Sequence, residues 1–556
     1  MYYYFQLFLL LFSILPSGLP KSNTIQNLFV DVAESTGLHF THTDGDSNQR
    51  LFNEFVGAGA GFFDYDQDGD LDIYLMNGRS QTDTPSQKVL PTNMLYRNNG
   101  NRTFTDVTAA AKVGDQHFGV GCAVGDLDND GDIDLYLTNY GPNQFFLNNG
   151  DGTFTNCTEK AGLSDPKWGA SCAFSDVDND GFLDLYISNY ADYALHQNKK
   201  CNVRGIWVYC GPRAYPPSVD SFYHNNGDGT FSDWLSKSGL AVETAGHGLG
   251  VAFADFDNDN DIDLYVANDQ DANFLFKNLG GGQFEETALF AGVSHGHMGK
   301  EEAGMGTAFG DYNNDGFIDL TVSNFQQETN TLYLNNQGAF FSDVTIATGV
   351  ALSTQGYLGW GINFFDYDND GWKDIFVANG HVMDNISHIN ANVEFAQKNV
   401  LLRNLEGKMF QPVLDKTGLA LQKVSRAAAF GDYDNDGDID ILVTNWNQKV
   451  NLLENKIGNQ KNWIQVDLVG TTSNRSAIGS KVKVVTEGLT QYHQVQSGGS
   501  YLAFNDLRVH FGVNQAAEVK RLEILWPSGV ENSWSNVAVN QRYLAIEGKR
   551  NLTKKN

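Results

Sequence analysis

Asp64, Asp66, Asp68 and Asp72 occupy positions 1, 3, 5 and 9 of the segment Asp64-Tyr-Asp-Gln-Asp-Gly-Asp-Leu-Asp72. Carboxylates two residues apart in a tight reversal converge on one point, and a hard cation makes that convergence favourable. Ca²⁺ suits it, taking roughly six to eight oxygens from carboxylates and main-chain carbonyls. The pattern D-x-D-x-D-G-x-x-D returns six more times, at intervals of 50 to 79 residues. The further candidate ligands are Asp126, Asp128, Asp130 and Asp134; Asp176, Asp178, Asp180 and Asp184; Asp255, Asp257, Asp259 and Asp263; Asp311, Asn313, Asp315 and Asp319; Asp366, Asp368, Asp370 and Asp374; and Asp432, Asp434, Asp436 and Asp440. Glycine at position 6 admits the positive φ that a sharp reversal requires. The fourth loop has Asn260 there, the next most tolerant residue. Asn313 offers a neutral oxygen, so the fifth loop is expected to bind most weakly. The loops are not EF-hands, because position 12 of the first is Leu75 rather than a bidentate glutamate. One Asp-Gly turn is ordinary turn chemistry. Seven in register are not, since an empty loop would crowd carboxylates together and raise their pKa values. Up to seven Ca²⁺ ions are expected, in sites so alike that the role is structural rather than catalytic.

Little else in the chain points to chemistry. No nucleophile elbow, zinc-protease helix, phosphate loop or dinucleotide fingerprint occurs, so no catalytic residue is assigned. His247, His295, His297 and His381 are candidates for a transition-metal cluster on one face; loop histidines without a ligand role are the plainer reading. Asn101, Asn385, Asn474 and Asn551 match the glycosylation pattern, which matters only in a eukaryotic secretory host. Of five cysteines, Cys201 and Cys210 flank one insertion and are placed for a local bridge. Cys122 and Cys172 sit at equivalent places in successive repeats and read as packing, and Cys157 reads as unpaired.

The formal charge is −30, and 31 aspartates lie in the seven loops. Much of the acidity is therefore ligand supply, and seven Ca²⁺ would offset fourteen charges. Without a basic stripe, nucleic acid and anionic membranes are excluded as partners. The apolar run from Phe5 to Leu15 is too short to span a bilayer. It fits the core of a signal peptide over residues 1–20, and with it export to the periplasm, cell surface or medium. No second stretch qualifies as a transmembrane span.

These loops need elements to hold them, and the repeat supplies them. Each unit has a segment marked by Phe29, Phe104, Phe154, Phe231, Phe284, Phe340 or Phe410. A run of small and apolar residues follows, leading into the Asp loop. The loop opens into an alternating strand that ends at Asn77, Asn139, Asn189, Asn268, Asn324, Asn379 or Asn445. The residue five before each loop is always small: Gly59, Gly121, Ser171, Gly250, Gly306, Gly361 and Ala427. Four short strands per unit without helical periodicity predict an all-β chain whose residues 25–458 form a seven-bladed β-propeller. The small residue marks the crowded innermost strand. No Phe strand follows the seventh loop, so the Phe29 segment is expected to complete the last blade and remove a free edge. The repeat is interrupted at residues 194–221, 294–300 and 379–397, where binding surfaces are expected. Residues 461–548 lack Asp loops and read as a small β-sandwich-like domain richer in Lys and Arg.

The loops and the Asn-Asn-Gly-Asp-Gly-Thr-Phe returns resemble the FG-GAP/VCBS repeats of integrin α-subunit propellers. Ser473-Asn-Arg-Ser-Ala-Ile-Gly479, Ser497-Gly-Gly-Ser-Tyr501, Arg508-Val-His-Phe-Gly512 and Trp526-Pro-Ser-Gly529 look like the signature of the ASPIC/UnbV domain. The chain is thus similar to the cartilage acidic protein family and its bacterial relatives, some encoded in enediyne clusters. That resemblance implies a secreted Ca²⁺-binding propeller that interacts with an extracellular protein or glycan, and no defined reaction. The alternative is an extracytoplasmic enzyme, lyase-like or accessory to secondary metabolism, with its site in the central pocket. A pocket of convergent ionisable groups would mark the enzyme, and an aromatic loop face the binding module.

Overall fold

The computed structural model describes residues 27–45, 47–81, 90–414 and 418–555; the expected signal peptide lies outside them. Seven four-stranded antiparallel sheets follow one another along the chain. The second shows the plan: inner strand Phe118–Gly125, then Asp134–Tyr140, Gln144–Asn148 and the outer strand Phe154–Asn156. Inner strands of successive blades pack side by side, and Ala60–Phe63 of the first meets Ser425–Gly431 of the last. The ring is thereby closed. Blade 7 is completed by Phe29–Asp31, paired antiparallel with Asn451–Asn455 in the register Phe29 to Asn455. The Phe29 segment therefore lies where its sequence placed it.

The invariant small residues sit where blades crowd. A Cβ on Gly306 would lie 2.2 Å from the Trp360 carbonyl oxygen, and one on Gly250 2.4 Å from that of Met305. The Phe of each outer strand is buried, with one correction: in blade 5 the buried residue is Phe341, while Phe340 is 48% exposed. Of the predicted strand ends, Asn77 and Asn324 lie two residues past their strands, which stop at Leu75 and Val322. One-turn helices such as Thr158–Ala161 follow several outer strands, too short to leave a periodic signal.

The C-terminal strands form two four-stranded sheets. One holds Val509–Asn514, Asn462–Val469, Gln541–Ile546 and Leu552–Lys554; the other holds Thr490–Gln494, Lys481–Val485, Glu518–Leu525 and Glu531–Ala538. Ile464, Val466, Val484, Leu522 and Trp526 fill the space between them and belong to one hydrophobic cluster with blades 1 to 3.

The segment 497–506 leaves this sandwich and enters the propeller axis. Gly498 and Gly499 take positive φ, a conformation that glycine adopts without steric cost. Ser497 Oγ accepts from Phe174 N at 3.0 Å, and Gly499 N donates to Val251 O at 2.8 Å. Thr307 N donates to Ser500 O at 3.0 Å, and Ser500 Oγ donates to Ala428 O at 2.7 Å. Ala503–Phe504 adds a parallel strand to blade 1. Tyr501 stacks edge-on against Trp360 with ring centroids 4.9 Å apart, and its hydroxyl donates to Val56 O at 2.9 Å. Tyr501 thus fills the axis at the level of Trp360, while a cavity of about 110 Å³ lined by Asp311, Asp366, Lys373, His493, Asp506 and His510 remains between the propeller and the sandwich.

Cys201 and Cys210 form a disulfide. Cys122 and Cys172 are free and buried in one core cluster, and Cys157 is also free.

Candidate metal centres

Each Asp loop joins the innermost strand of a blade to the second strand, so all seven lie on the same face. Backbone geometry is shared: position 4 takes positive φ in every loop (Gln67, Asn129, Asn179, Asn258, Asn314, Asn369 and Asn435), and so does position 6, Asn260 included. The first Asp fixes the reversal by accepting the position-6 N–H, at 2.9 Å for Gly69 to Asp64 and 2.7 Å for Asn260 to Asp255. The ninth is an anchor in its own right. Asp134 Oδ2 accepts from Leu127 N at 2.9 Å and its Oδ1 from Asn148 N at 2.8 Å; the same pair of bonds recurs in the other six blades.

That asparagine was missed as a functional position. Asn148 Nδ2 donates to Ile133 O of its own blade at 3.1 Å and to Tyr65 O of the preceding blade at 2.9 Å. Asn98, Asn225, Asn278, Asn335, Asn404 and Asn455 repeat the bond, and Asn98 reaches Tyr433 O at 2.8 Å across the seam between blades 1 and 7. The position-4 side chain makes a second clasp in the other direction. Gln67 donates to Gly131 O at 2.8 Å, Asn129 to Gly181 O at 2.9 Å and Asn435 to Gly69 O at 3.4 Å. Only the third loop departs: Asn179 reaches Asp261 Oδ1 at 3.5 Å instead. The sequence signal was present in the recurring Asn-Asn-Gly-Asp-Gly and D-x-D-N runs, but reads there as turn composition.

Carboxylate oxygens lie close together in at least four of the loops. Oxygens of Asp64, Asp66 and Asp72 lie within 4.8 Å of one another, as do those of Asp126, Asp128 and Asp134, of Asp176, Asp178 and Asp180, and of Asp255, Asp257 and Asp259. Buried oxygens without a hydrogen-bond donor remain: Oδ1 of Asp64, Asp66, Asp126, Asp257 and Asp368, and of Asp434, Asp436 and Asp438 in the seventh loop. Without a cation the electrostatics are unfavourable. Burial, with Asp66 and Asp64 adding to it, pushes Asp72 up to about 9 against two backbone hydrogen bonds. Burial lifts Asp126 to about 7 and, with Asp184 and Asp180 behind it, Asp176 to about 8. Unsatisfied hard oxygens gathered at this spacing fit a divalent cation of the Ca²⁺ type.

The sandwich covers this ring. Ser476 Oγ accepts from Asp126 N at 3.1 Å, and Gln494 Oε1 from Asp255 N at 3.1 Å. Arg542 donates to Gly69 O at 2.7 Å, Arg508 to Asp432 O at 2.7 Å, and His510 Nε2 lies 3.1 Å from Gly437 O. A Cβ on Gly512 would lie 2.2 Å from Asp366 Oδ2. Three of the four quoted C-terminal motifs, those around Ser476, Tyr501 and Arg508, thus contact the loops or fill the axis. Asn474 is fully buried, with its amide bonded to Ile478, so it is no glycan acceptor.

Two of the three interruptions of the repeat, 194–221 and 379–397, meet on the opposite face, and the first also reaches Glu301, just past the interruption at 294–300. Asn385 Nδ2 donates to Trp207 O at 2.8 Å and Arg204 to Ile389 O at 3.2 Å. Arg213 pairs with Glu301 at 2.5 Å. Arg50, paired with Asp384 at 2.7 Å, lies 5.6 Å over the ring of Trp207, which is 40% exposed. The four histidines do not form one centre. His247 binds Asp271 and Tyr215 O, His381 accepts from Met383 N, His295 contacts Ser294, and His297 is exposed.

Comparison with known proteins agrees with this architecture. The FG-GAP-like repeat profile matches residues 64–137, 126–187, 208–266, 255–322 and 311–377, and the ASPIC and UnbV profile matches 470–552. Cartilage acidic protein 1 of Mus musculus is 27% identical over 311 residues, covering 53% of this chain and 44% of its own length. The Homo sapiens protein is 28% identical over 326 residues, covering 57% and 46%. The chain thus spans less than half the length of these relatives. A solved Agrocybe aegerita lectin specific for non-reducing terminal N-acetylglucosamine superposes with TM-score 0.36 at 15% identity, over 68% of this chain and 83% of that one, too loosely to carry an argument about function. With its repeats and its C-terminal domain both matched, the chain belongs to the family of FG-GAP-like repeat proteins carrying an ASPIC and UnbV domain.

Proposed function

We propose that this chain is an exported, Ca²⁺-stabilised interaction module whose ligand face is the one opposite the metal loops. The observation that carries the reading is the meeting of interruptions from distant parts of the chain around Trp207, while the loop face is covered by the sandwich. Ca²⁺ in this reading compensates the crowded carboxylates and holds the loop ring in shape. An exposed tryptophan beside Arg50 and Lys200, with Arg204 on the same hairpin, suits an extracellular protein or glycan, because aromatic and arginine side chains dominate recognition surfaces. The local disulfide accords with export, as does the absence of any helix among the described residues long and apolar enough to cross a membrane.

The test is an array of secreted proteins and glycans probed with the wild type and with Trp207→Ala. A ligand whose binding falls at least about tenfold in the variant, the size of a typical hot-spot loss, supports the reading. Ligands unaffected by Trp207→Ala and by charge reversal at Arg204 would refute it.

A further inference from the structure

The cavity of about 110 Å³ between the sandwich and the inner strands of blades 5 to 7 has a lining rich in unused donors. About 10–15 Å³ of such space holds one water, so the cavity admits a ligand of several non-hydrogen atoms. Three amides in its wall turn their oxygens to backbone N–H groups: Asn363 to Phe364 N at 2.9 Å, Gln494 to Asp255 N at 3.1 Å and Asn505 to Phe430 N at 3.1 Å. Those bonds fix which end of each amide is which, because only the oxygen accepts. Gln494 is 3% exposed, and its Nε2 is buried without an acceptor. The amide nitrogens of Asn363 and Asn505 bond no other group among the described residues. Lys373 and His493 line the same space. Among the described residues no carboxylate lies within ion-pairing distance of the Lys373 ammonium, and neither ring nitrogen of His493 has a hydrogen-bond partner.

The other charged groups of the wall are already bonded. Asp506 pairs with Arg508 at 2.6 Å. Asp311 accepts from Asp315 N at 3.2 Å and Gly316 N at 2.9 Å, and Asp366 from Asp370 N at 3.0 Å and Gly371 N at 2.7 Å. Arg508 also donates to Asp432 O, and His510 Nε2 lies beside Gly437 O. What remains is one cation and a set of N–H donors without acceptors.

We infer that this cavity is a binding site for a small monocarboxylate, held by Lys373 and by the amide groups of Asn363, Gln494 and Asn505. A carboxylate accepts about four hydrogen bonds and donates none, which matches a wall of donors. One unpaired ammonium balances one negative charge, which favours a monoanion over sulfate or phosphate. Phe364, Phe430 and Val495 complete the wall and suit a short apolar tail. The inference rests on the calcium reading above: the charges of Asp311 and Asp366 also act on Lys373, and Ca²⁺ in their loops offsets them and leaves the ammonium to the ligand.

Propionate is the probe. Its binding is measured by saturation-transfer NMR and calorimetry in saturating Ca²⁺ on the wild type, Lys373→Met and Asn505→Asp, and native mass spectrometry counts Ca²⁺ on the same samples. Asn505→Asp keeps the oxygen that Phe430 N needs and trades the NH₂ donor for a charge that repels the ligand. Wild-type binding is expected to weaken at least about tenfold in each variant, the loss of one hydrogen bond to a charged group, and sulfate is expected not to displace propionate. Calcium bound without propionate, variants that bind as well as the wild type, or displacement by sulfate overturns the inference and leaves the calcium reading standing. No bound Ca²⁺ overturns the calcium reading, whatever propionate does. If Lys373→Met does not fold, Asn505→Asp still decides.

Discussion

Asn148→Ala isolates the bond that joins one blade to the next. The side chain is 2% exposed and makes three hydrogen bonds: Nδ2 to Tyr65 O at 2.9 Å and to Ile133 O at 3.1 Å, and Oδ1 from Gly150 N at 3.1 Å. Its removal strands two carbonyls and one N–H. A net hydrogen bond contributes about 1 kcal/mol, and an unsatisfied buried group costs about 1–3 kcal/mol. The expected destabilisation is therefore about 3 kcal/mol. Asn148→Asp should cost at least as much, because it replaces the donor with a carboxylate facing two carbonyl oxygens. Asn149→Ala is the control: its amide bonds only Thr153 and Thr155 on the exposed surface, and a change under about 0.5 kcal/mol is expected. Guanidinium denaturation in saturating Ca²⁺ gives all three values. A loss at Asn148 no larger than at Asn149 would refute the clasp as a source of stability.

Two further outcomes follow from the loop electrostatics and the inner strands. In chelator, the melting temperature should fall as pH rises from about 4 toward 9. Folded Asp72, raised to about 9, keeps a proton that the unfolded chain, near 3.8, releases. The folded state then binds more protons and loses stability with rising pH. In saturating Ca²⁺ the same scan should be flatter, and identical slopes would sink the argument. Gly306→Ala should cost about 3 kcal/mol or prevent folding, since its Cβ would meet backbone 2.2 Å away at Trp360 O. Gly356→Ala, with nothing within 4 Å, should melt like the wild type.

What could be read in the sequence was what repeats. The Asp register, the small inner residue and the missing outer strand recur or fail at fixed offsets, so ring size and closure were legible without coordinates. Phe340 misled because Phe340 and Phe341 are adjacent, and period-2 alternation alone does not say which faces the core. The clasp asparagines were visible as letters but not as bonds, because their partners Tyr65 O and Tyr433 O are main-chain atoms of another blade. The axial segment 497–506 leaves no periodic trace: its glycines look like a turn, and only the ring of inner strands around Tyr501 gives them a purpose. The meeting of residues near 207, 301 and 385 depends on blade order around a circle, which linear spacing does not encode.

The pairing of Phe29 with Asn455 has a consequence for how the molecule comes into being. Blades 1 to 6 each draw their four strands from a short stretch of chain and can form as that stretch is synthesised. Blade 7 cannot, because one of its strands is made first and the other three near the end. The ring must stay open until most of the chain exists, and segment 497–506 can thread the axis only later still. Contacts of such long sequence separation form slowly, so the slow folding phase is expected at closure rather than in any blade. Until then the unpaired edge of blade 7 is the part of the molecule most exposed to pairing with another chain.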